Sequence, residues 1–264
     1  MTNQASEFIW YELMTSDVDA ARRFYGPVIG WTVGNQPDYA EIQAMDGDHV
    51  GGMLQLTDEM TSGGARPAWV AYISVEDVDA SVASIEAAGG RCHMPPRDME
   101  GVGRFAMVAD PQGAPFYVMK PAPPADRPDA QSNAFARYEP MQGHCAWNEL
   151  STSDPEAARQ FYNRQFGWVK DGEMDMGPMG KYEFLQFPGE RPYPIGAVME
   201  KMPHMPVSAW TFYFRVADID EGAAAIAANG GAVILVPVEI PGGDYSLVAT
   251  DPQGAVFGLV GSRQ

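Results

Sequence analysis

The sequence predicts an α+β fold built from four tandem βαβββ modules, and three repeats within its 264 residues carry that prediction. Residues 10–31, WYELMTSDVDAARRFYGPVIGW, return 137 positions later, without a gap, as WNELSTSDPEAARQFYNRQFGW at 147–168. Each half also ends alike, since Asp110-Pro-Gln-Gly-Ala recurs as Asp251-Pro-Gln-Gly-Ala. Inside each half lies a weaker echo. Asp77-Val-Asp-Ala-Ser repeats Asp17-Val-Asp-Ala-Ala, and Asp218-Ile-Asp-Glu-Gly repeats Asp154-Pro-Glu-Ala-Ala. Repeats of this length mark supersecondary units that recur along the chain.

The elements of a module follow in order. An apolar or alternating run reads as the first strand. The Asp that follows (Asp17, Asp77, Asp154, Asp218) reads as a helix N-cap, because its carboxylate accepts the free N–H groups of the first turn. Pro155 at a first helical position strengthens the third case. Ala-rich amphipathic stretches come next, and the two later helices stop at Gly89-Gly90 and Gly230-Gly231, where glycine takes a left-handed cap. Residues 102–108 and 115–119 read as strands joined by the Asp110-Pro-Gln-Gly turn, and 182–187 and 195–199 as a further pair. The Pro-rich stretch PAPPADRPDAQSNA at 121–134 reads as a linker. The expected organisation is a first domain at 1–122, a linker at 123–138 and a second domain at 139–264.

Composition narrows the function. The formal net charge is −18, which disfavours nucleic acid and anionic membrane as partners, because both are polyanions. A neutral or cationic small molecule fits better. Two cysteines, Cys92 and Cys145, make neither a disulfide framework nor a zinc cage, and read as reduced thiols. The N-terminal MTNQASEFIW lacks the basic and apolar regions of a signal peptide, and no apolar run approaches the ~20 residues of a membrane helix. The expected location is cytoplasmic. No GxGxxG opens a helix after a strand, so a doubly wound nucleotide fold is not implied.

Four such modules, with W-x-E-L-x-T-x-D-x-x-A-A-R-x-F-Y…G-W in the first and third and G-G…D-P-Q-G-A in the second and fourth, resemble the vicinal oxygen chelate superfamily. That family holds glyoxalase I, bleomycin-resistance proteins and extradiol dioxygenases. The resemblance covers nearly the whole chain outside the linker and is nearest to two-domain glyoxalase-like proteins often labelled hydroxylases. It implies that modules pair into two eight-stranded, cup-shaped half-barrels with the ligand inside, and that dimerisation is not needed to complete a cup. Monomer and homodimer both stay open. The fold hosts lyases, isomerases, oxygenases and drug binders, so it does not name a reaction.

The resemblance also implies where a divalent ion would be held. Its first His position falls on Trp10, Val70, Trp147 and Thr211, and its Glu position on Tyr117 and Gly258. None of these is a good ligand. The expectation is therefore a protein without a bound cofactor, with a divalent metal on displaced ligands such as Glu12, His93 or Tyr117 as the alternative. His49 and His144 read as surface residues and His204 as part of an exposed link. His93 reads as partly buried near a cup.

Alternation along the strands turns Trp10, Glu12 and Met14 to one face, and likewise Trp147, Glu149 and Ser151. On that count Glu12 stands opposite Tyr72, and Glu149 opposite Tyr213 with Arg215 nearby. Glu12 and Glu149 are candidate acid/base groups or anchors for a cationic ligand. Each is also readable as structural, and their recurrence in both halves favours that reading. Trp10, Tyr72, Tyr117, Trp147, Tyr213 and Arg215 are the candidate ligand contacts. Trp31, Trp168, Phe24-Tyr25 and Phe161-Tyr162 read as core. Three functions remain: a metal-free protein that binds or slowly transforms an apolar or aromatic molecule, a metal-dependent lyase, isomerase or dioxygenase, and a drug-sequestering resistance protein. The Met-rich stretch 174–180 and Arg215 mark the two halves as unequal, so one cup is expected to be fully functional.

Overall fold

The computed structural model describes residues 4–122, 130–190, 192–203 and 205–264. His204 and residues 123–129 of the linker lie outside these described residues. In the first half the elements are β1 (Phe8–Thr15), α1 (Val18–Ile29), β2 (Thr32–Val33), β3 (Tyr39–Gln43), β4 (His49–Gln55), α2 (Asp58–Ser62), β5 (Ala68–Ser74), α3 (Val78–Ala87), β6 (Arg91–Met99), β7 (Gly103–Ala109) and β8 (Pro115–Pro121). In the second half they are β9 (Cys145–Thr152), α4 (Pro155–Phe166), β10 (Val169–Asp175), β11 (Lys181–Phe187), β12 (Tyr193–Glu200), β13 (Ala209–Asp218), α5 (Ile219–Ala228), β14 (Ala232–Glu239), β15 (Tyr245–Thr250) and β16 (Val256–Ser262). A short 3-10 turn, Gly177–Met179, lies between β10 and β11 and holds much of the Met-rich stretch.

The fold is α+β, as the repeats predict. Two eight-stranded mixed sheets run in the orders β2-β3-β4-β1-β5-β8-β7-β6 and β10-β11-β12-β9-β13-β16-β15-β14. The same permutation occurs twice, and distinct strands end each sheet, so both are open. The first strand of each module pairs in parallel with its last (β1·β4, β5·β8, β9·β12, β13·β16), and the hairpins are antiparallel. All four predicted caps form: Asp17, Asp77, Asp154 and Asp218 accept from the N–H groups of Ala20, Ala80, Ala157, and Asp220 with Glu221. Gly89 and Gly230 follow their helices at φ of 90° and 86°, the left-handed conformation expected there. The five-residue α2, capped by Thr57, has no counterpart in the repeat pattern.

The chain forms two compact units. One comprises Met1–Ile9, Ala71–Ser132 and Asn148–Trp210, and the other Trp10–Val70, Asn133–Trp147 and Thr211–Gln264. Each unit thus takes one module from each half of the sequence. The repeated motifs explain the first of these packings. In the second unit the Trp69 indole N–H donates to Tyr25 Oη at 2.9 Å, and the Tyr25 hydroxyl donates to Asp251 Oδ2 at 3.2 Å. Asp251 Oδ1 also accepts from the backbone N–H groups of Gln253 and Ala255 at 2.9 and 2.8 Å, which closes the D-P-Q-G turn. The first unit repeats the arrangement: Trp210 donates to Tyr162 at 3.1 Å, Tyr162 to Asp110 at 3.2 Å, and Asp110 Oδ1 accepts from Gln112 and Ala114 at 2.9 Å. The two sequence signatures recur together because the tyrosine of one meets the aspartate of the other.

The predicted core aromatics are buried: Phe24, Tyr25, Trp31, Phe161, Tyr162 and Trp168. Trp31 Nε1 donates to Gly143 O at 2.7 Å and Trp168 Nε1 to Ser6 O at 2.9 Å, so each indole also has its polar atom satisfied. No described helix is long and apolar enough to cross a membrane.

Candidate functional site

Strand alternation divides β1 between two environments. Tyr11 is buried edge-on against Phe212 and Phe214, with ring centroids 5.1 and 5.9 Å away. Its neighbours Trp10 and Glu12 turn to the other face. There the half-exposed Trp10 donates its indole N–H to Tyr39 Oη at 2.8 Å. Glu12 is buried, and its charge acts on the same phenol. Burial, then the Glu12 carboxylate, push the Tyr39 hydroxyl far above its ordinary pKa, while the Trp10 N–H pulls the other way. Tyr39 therefore keeps its proton at any physiological pH. The ring is seated over Gly52 on β4, since a Cβ at that glycine would lie 2.2 Å from Tyr39 Oη. Gly52→Ala is accordingly expected to expel Tyr39 from its seat and to shift the Trp10 fluorescence, with a stability loss of about 1–3 kcal/mol in urea titration.

The second half builds the same place in the same register. Tyr39 pairs with Leu54 and Leu54 with Met14, whereas Tyr182 pairs with Met199 and Met199 with Ser151. Tyr182 thus occupies the register position of Tyr39. It donates to Glu149 Oε2 at 2.7 Å, and Glu149 is half-buried. Trp147 is half-buried beside it in sequence, and its carbonyl accepts from the Cys145 thiol at 3.3 Å. Burial pushes that thiol up to about 12, so Cys145 is no nucleophile.

The remaining candidates separate in a telling way. In the first unit Tyr72 and Tyr117 face each other across β5 and β8 and stack with centroids 4.1 Å apart and planes 7° from parallel. Phe105 lies 6.1 and 6.2 Å from them, with the Arg97 guanidinium 5.0 Å above its ring. In the second unit Tyr213 faces Gly258 instead of a tyrosine, and a Cβ there would lie 2.2 Å from its ring. Arg215 forms a two-pronged pair with Asp244 at 2.7 and 3.3 Å. Sequence reasoning named neither Tyr39, Tyr182 nor Asp244.

Two histidines need correcting. His93, expected to be partly buried, is exposed on β6. Partial desolvation of the ring and then Arg91 lower its pKa, and it belongs to no group of three prospective metal ligands among the described residues. His144, expected at the surface, has a fully buried side chain. It sits where residues 133–145 fold back on themselves, through Cys145 N donating to Ala134 O at 3.0 Å and Ala136 N to Cys145 O at 2.8 Å. His49 is exposed as expected, 2.8 Å from Glu41 Oε2.

The positions at which the resemblance places metal ligands can now be tested. Trp10 offers only a donor, already given to Tyr39. Val70 is a fully buried aliphatic residue, the Tyr117 ring is taken up in a stack, and the Tyr213 ring covers Gly258. This residue set does not fit an ion held by His and Glu.

The model of the Glyoxalase/Bleomycin resistance protein/Dioxygenase superfamily matches residues 7–118 and again 142–259. The chain belongs to that superfamily. Within it, the chain is 32% identical over 257 residues to CFP32 of Mycobacterium tuberculosis, a protein with a provisional glyoxylase name, covering 95% of this chain and 93% of the relative. It is 29% identical over 273 residues to the anthracycline biosynthesis protein DnrV of Streptomyces peucetius, covering 97% and 93%. The fold of this superfamily member matches the Mn(II)-bound glyoxalase from Novosphingobium aromaticivorans with a TM-score of 0.65 at 18% identity, over 99% of this chain and 83% of that one.

Proposed function

We propose that this superfamily member binds an apolar or aromatic small molecule against Trp10, Tyr39 and Glu12, without the family's His/Glu-held metal. The observation that carries the reading is the replacement of a ligand position by an indole hydrogen-bonded to a phenol beside a buried carboxylate. An indole face takes up a planar ligand through area and quadrupole, and favours a cationic one further. The buried Glu12 and the −18 chain charge act in the same direction for a cation. Any chemistry at this place is proton chemistry: Glu12 accepts or returns a proton, and Tyr39 donates a hydrogen bond to a ligand oxygen.

The relative named for anthracycline biosynthesis makes an anthracycline, a planar aromatic compound, a reasonable first probe. Titrated into the protein, it should quench tryptophan fluorescence saturably at one equivalent. Trp10→Ala should weaken binding by roughly tenfold or more, as expected for a central aromatic contact, and Trp147→Ala should not. A chelator should leave binding unchanged. Binding that is equal in wild type and Trp10→Ala, or lost on chelation, would overturn the reading. Saturation without turnover identifies a sequestering protein, and a changed ligand mass identifies an enzyme.

A further inference from the structure

One cluster in the second unit is used by none of the foregoing. The β3–β4 turn is fixed by Ala44 N donating to Asp48 O at 2.9 Å, Gly47 N to Ala44 O at 3.0 Å and Asp48 N to Asp46 Oδ1 at 3.0 Å. It presents the carboxylates of Asp46 and Asp48 to the buried imidazole of His144. One ligand atom from each of these three residues lies within 4.8 Å of the others. The imidazole is rigidly seated, because Arg215 N donates to His144 O at 2.9 Å and Gly143 N to Arg215 O at 2.8 Å.

Its orientation is fixed as well. Nδ1 lies 2.5 Å from the Asn133 carbonyl oxygen, which can only accept, so Nδ1 carries a proton. Nε2 faces the carboxylates and, by the same reasoning, donates to Asp46 Oδ2 at 2.9 Å, a proton that an entering metal ion would displace. The same Asn133 donates its side-chain N–H to Asp48 Oδ2 at 2.7 Å. One residue outside the cluster thus orients two prospective ligands, the arrangement in which a backbone carbonyl fixes the tautomer of a metal-bound histidine. The 2.9 Å between Asp46 Oδ2 and His144 Nε2 is the length of one edge of an octahedron whose bonds are about 2.0–2.1 Å.

We propose that Asp46, Asp48 and His144 form a divalent-metal site, with water completing the coordination on the exposed Asp46 side. One nitrogen and two carboxylate oxygens suit manganese, iron, nickel or zinc rather than calcium. The site lies off the family's ligand positions. Its physical effect is to staple residues 133–145, which include the end of the linker, to the β3–β4 turn of the first module.

The test is calorimetric titration of chelator-stripped, untagged protein with Mn(II) and with Zn(II), alongside thermal melts. One equivalent of either ion should bind saturably. At a hundredfold excess over the dissociation constant the melting temperature should rise by about 5 °C or more. Asp46→Asn and Asp48→Asn stand on a surface turn and should keep the metal-free melting temperature while weakening binding by about tenfold each. Pulsed EPR of the Mn(II) form should show imidazole nitrogen coupling. The proposal is overturned by absence of saturable binding, by unchanged affinity in the Asp46→Asn/Asp48→Asn double variant, or by Mn(II) without nitrogen coupling. Anthracycline binding should be unaltered in both Asp variants, so this proposal and the Trp10 reading fail separately.

Discussion

Residues 1–122 and 139–264, produced separately, are each expected to remain unfolded, and to regain near-ultraviolet dichroism and dispersed amide resonances when mixed. The reason lies in what the repeated aromatics touch. Tyr11 packs on Phe212, Trp31 on Phe214 at 4.8 Å, and Tyr25 on Phe257 at 5.3 Å. Phe8 stacks on Trp168 at 5.1 Å, and Phe116 meets Tyr162 and Phe166 at 5.8 Å. All of these are buried in the intact chain, yet each pair joins one sequence half to the other. Removing the second half uncovers Phe8, Tyr11, Phe24, Tyr25, Trp31, Trp69 and Phe116. At about 1.5–3 kcal/mol for each large apolar side chain, the loss is on the order of 10 kcal/mol. That matches the whole stability of an ordinary domain, ~5–15 kcal/mol. Hydrogen-bond losses at Tyr25 and Trp31 add to it. A cooperative melt from residues 1–122 alone would refute this account.

The pattern of elements was legible in the sequence because it depends on local chemistry. An Asp before an amphipathic run caps a helix wherever it stands, and a D-P-Q-G turn closes the hairpin whatever surrounds it. The four caps and both turns need no knowledge of distant residues. Partnership is different. Nothing local to Tyr25 says that its hydroxyl meets Asp251, 226 positions on. The repeats announce that both residues matter without saying that they matter to each other. The same limit hid Tyr39 and Tyr182. A signal for them exists, Tyr39-x-x-Ile42-Gln43 against Tyr182-x-x-Leu185-Gln186. It stands 143 rather than 137 positions apart, because β10 runs from Val169 to Asp175 where β2 has only Thr32 and Val33. The longer hairpin shifts the repeat out of step. His144 misled for another reason: a Gln-Gly-His stretch before a strand reads as surface, but its burial comes from residues 133–136 lying back over it.

The Glu candidates show how far a duplication constrains a site. Glu12 and Glu149 hold the same register position, each beside a tyrosine from the third strand of its own module. That shared element is what the fold retains. In one copy Trp10 donates to Tyr39, and in the other Tyr182 donates to Glu149. A difference between the copies does lie on other strands, where Tyr72 stacks on Tyr117 but Tyr213 covers Gly258. Divergence between copies is thus concentrated on one face of the strands, while the aromatic core behind them is nearly preserved. A selective pressure acting on ligand contacts, rather than on packing, would leave this distribution.

Replacing Asp110 and Asp251 separates the part of that core that depends on acceptor geometry from the part that depends on charge. Each carboxylate accepts two backbone N–H groups through Oδ1 and a tyrosine hydroxyl through Oδ2. Alanine leaves those buried donors without a partner, at about 1–3 kcal/mol for each, so either Asp→Ala variant should lose about 3–5 kcal/mol. The sites lie in different units and share no partner, so Asp110→Ala/Asp251→Ala should lose nearly the sum and approach complete unfolding. Asparagine keeps the oxygen that accepts the two N–H groups, and its amide can donate to the tyrosine oxygen. The tyrosine O–H then loses its acceptor, so each Asn variant should lose about 1–3 kcal/mol at pH 7 in urea titration, less than its Ala counterpart. The charge itself opposes folding. Burial raises both carboxyls above their ordinary value of 3.8, and the N–H groups and tyrosines offset this only in part. The folded state therefore holds these protons more tightly than the unfolded chain. Stability from this source is complete below a pH of 3.8 and is lost as pH climbs through the raised folded values. Wild type should lose stability across that acidic window relative to Asp110→Asn/Asp251→Asn, whose profile should be flatter. Equal damage from Asn and Ala would show instead that the negative charge, not the acceptor, holds the turn and the tyrosine together.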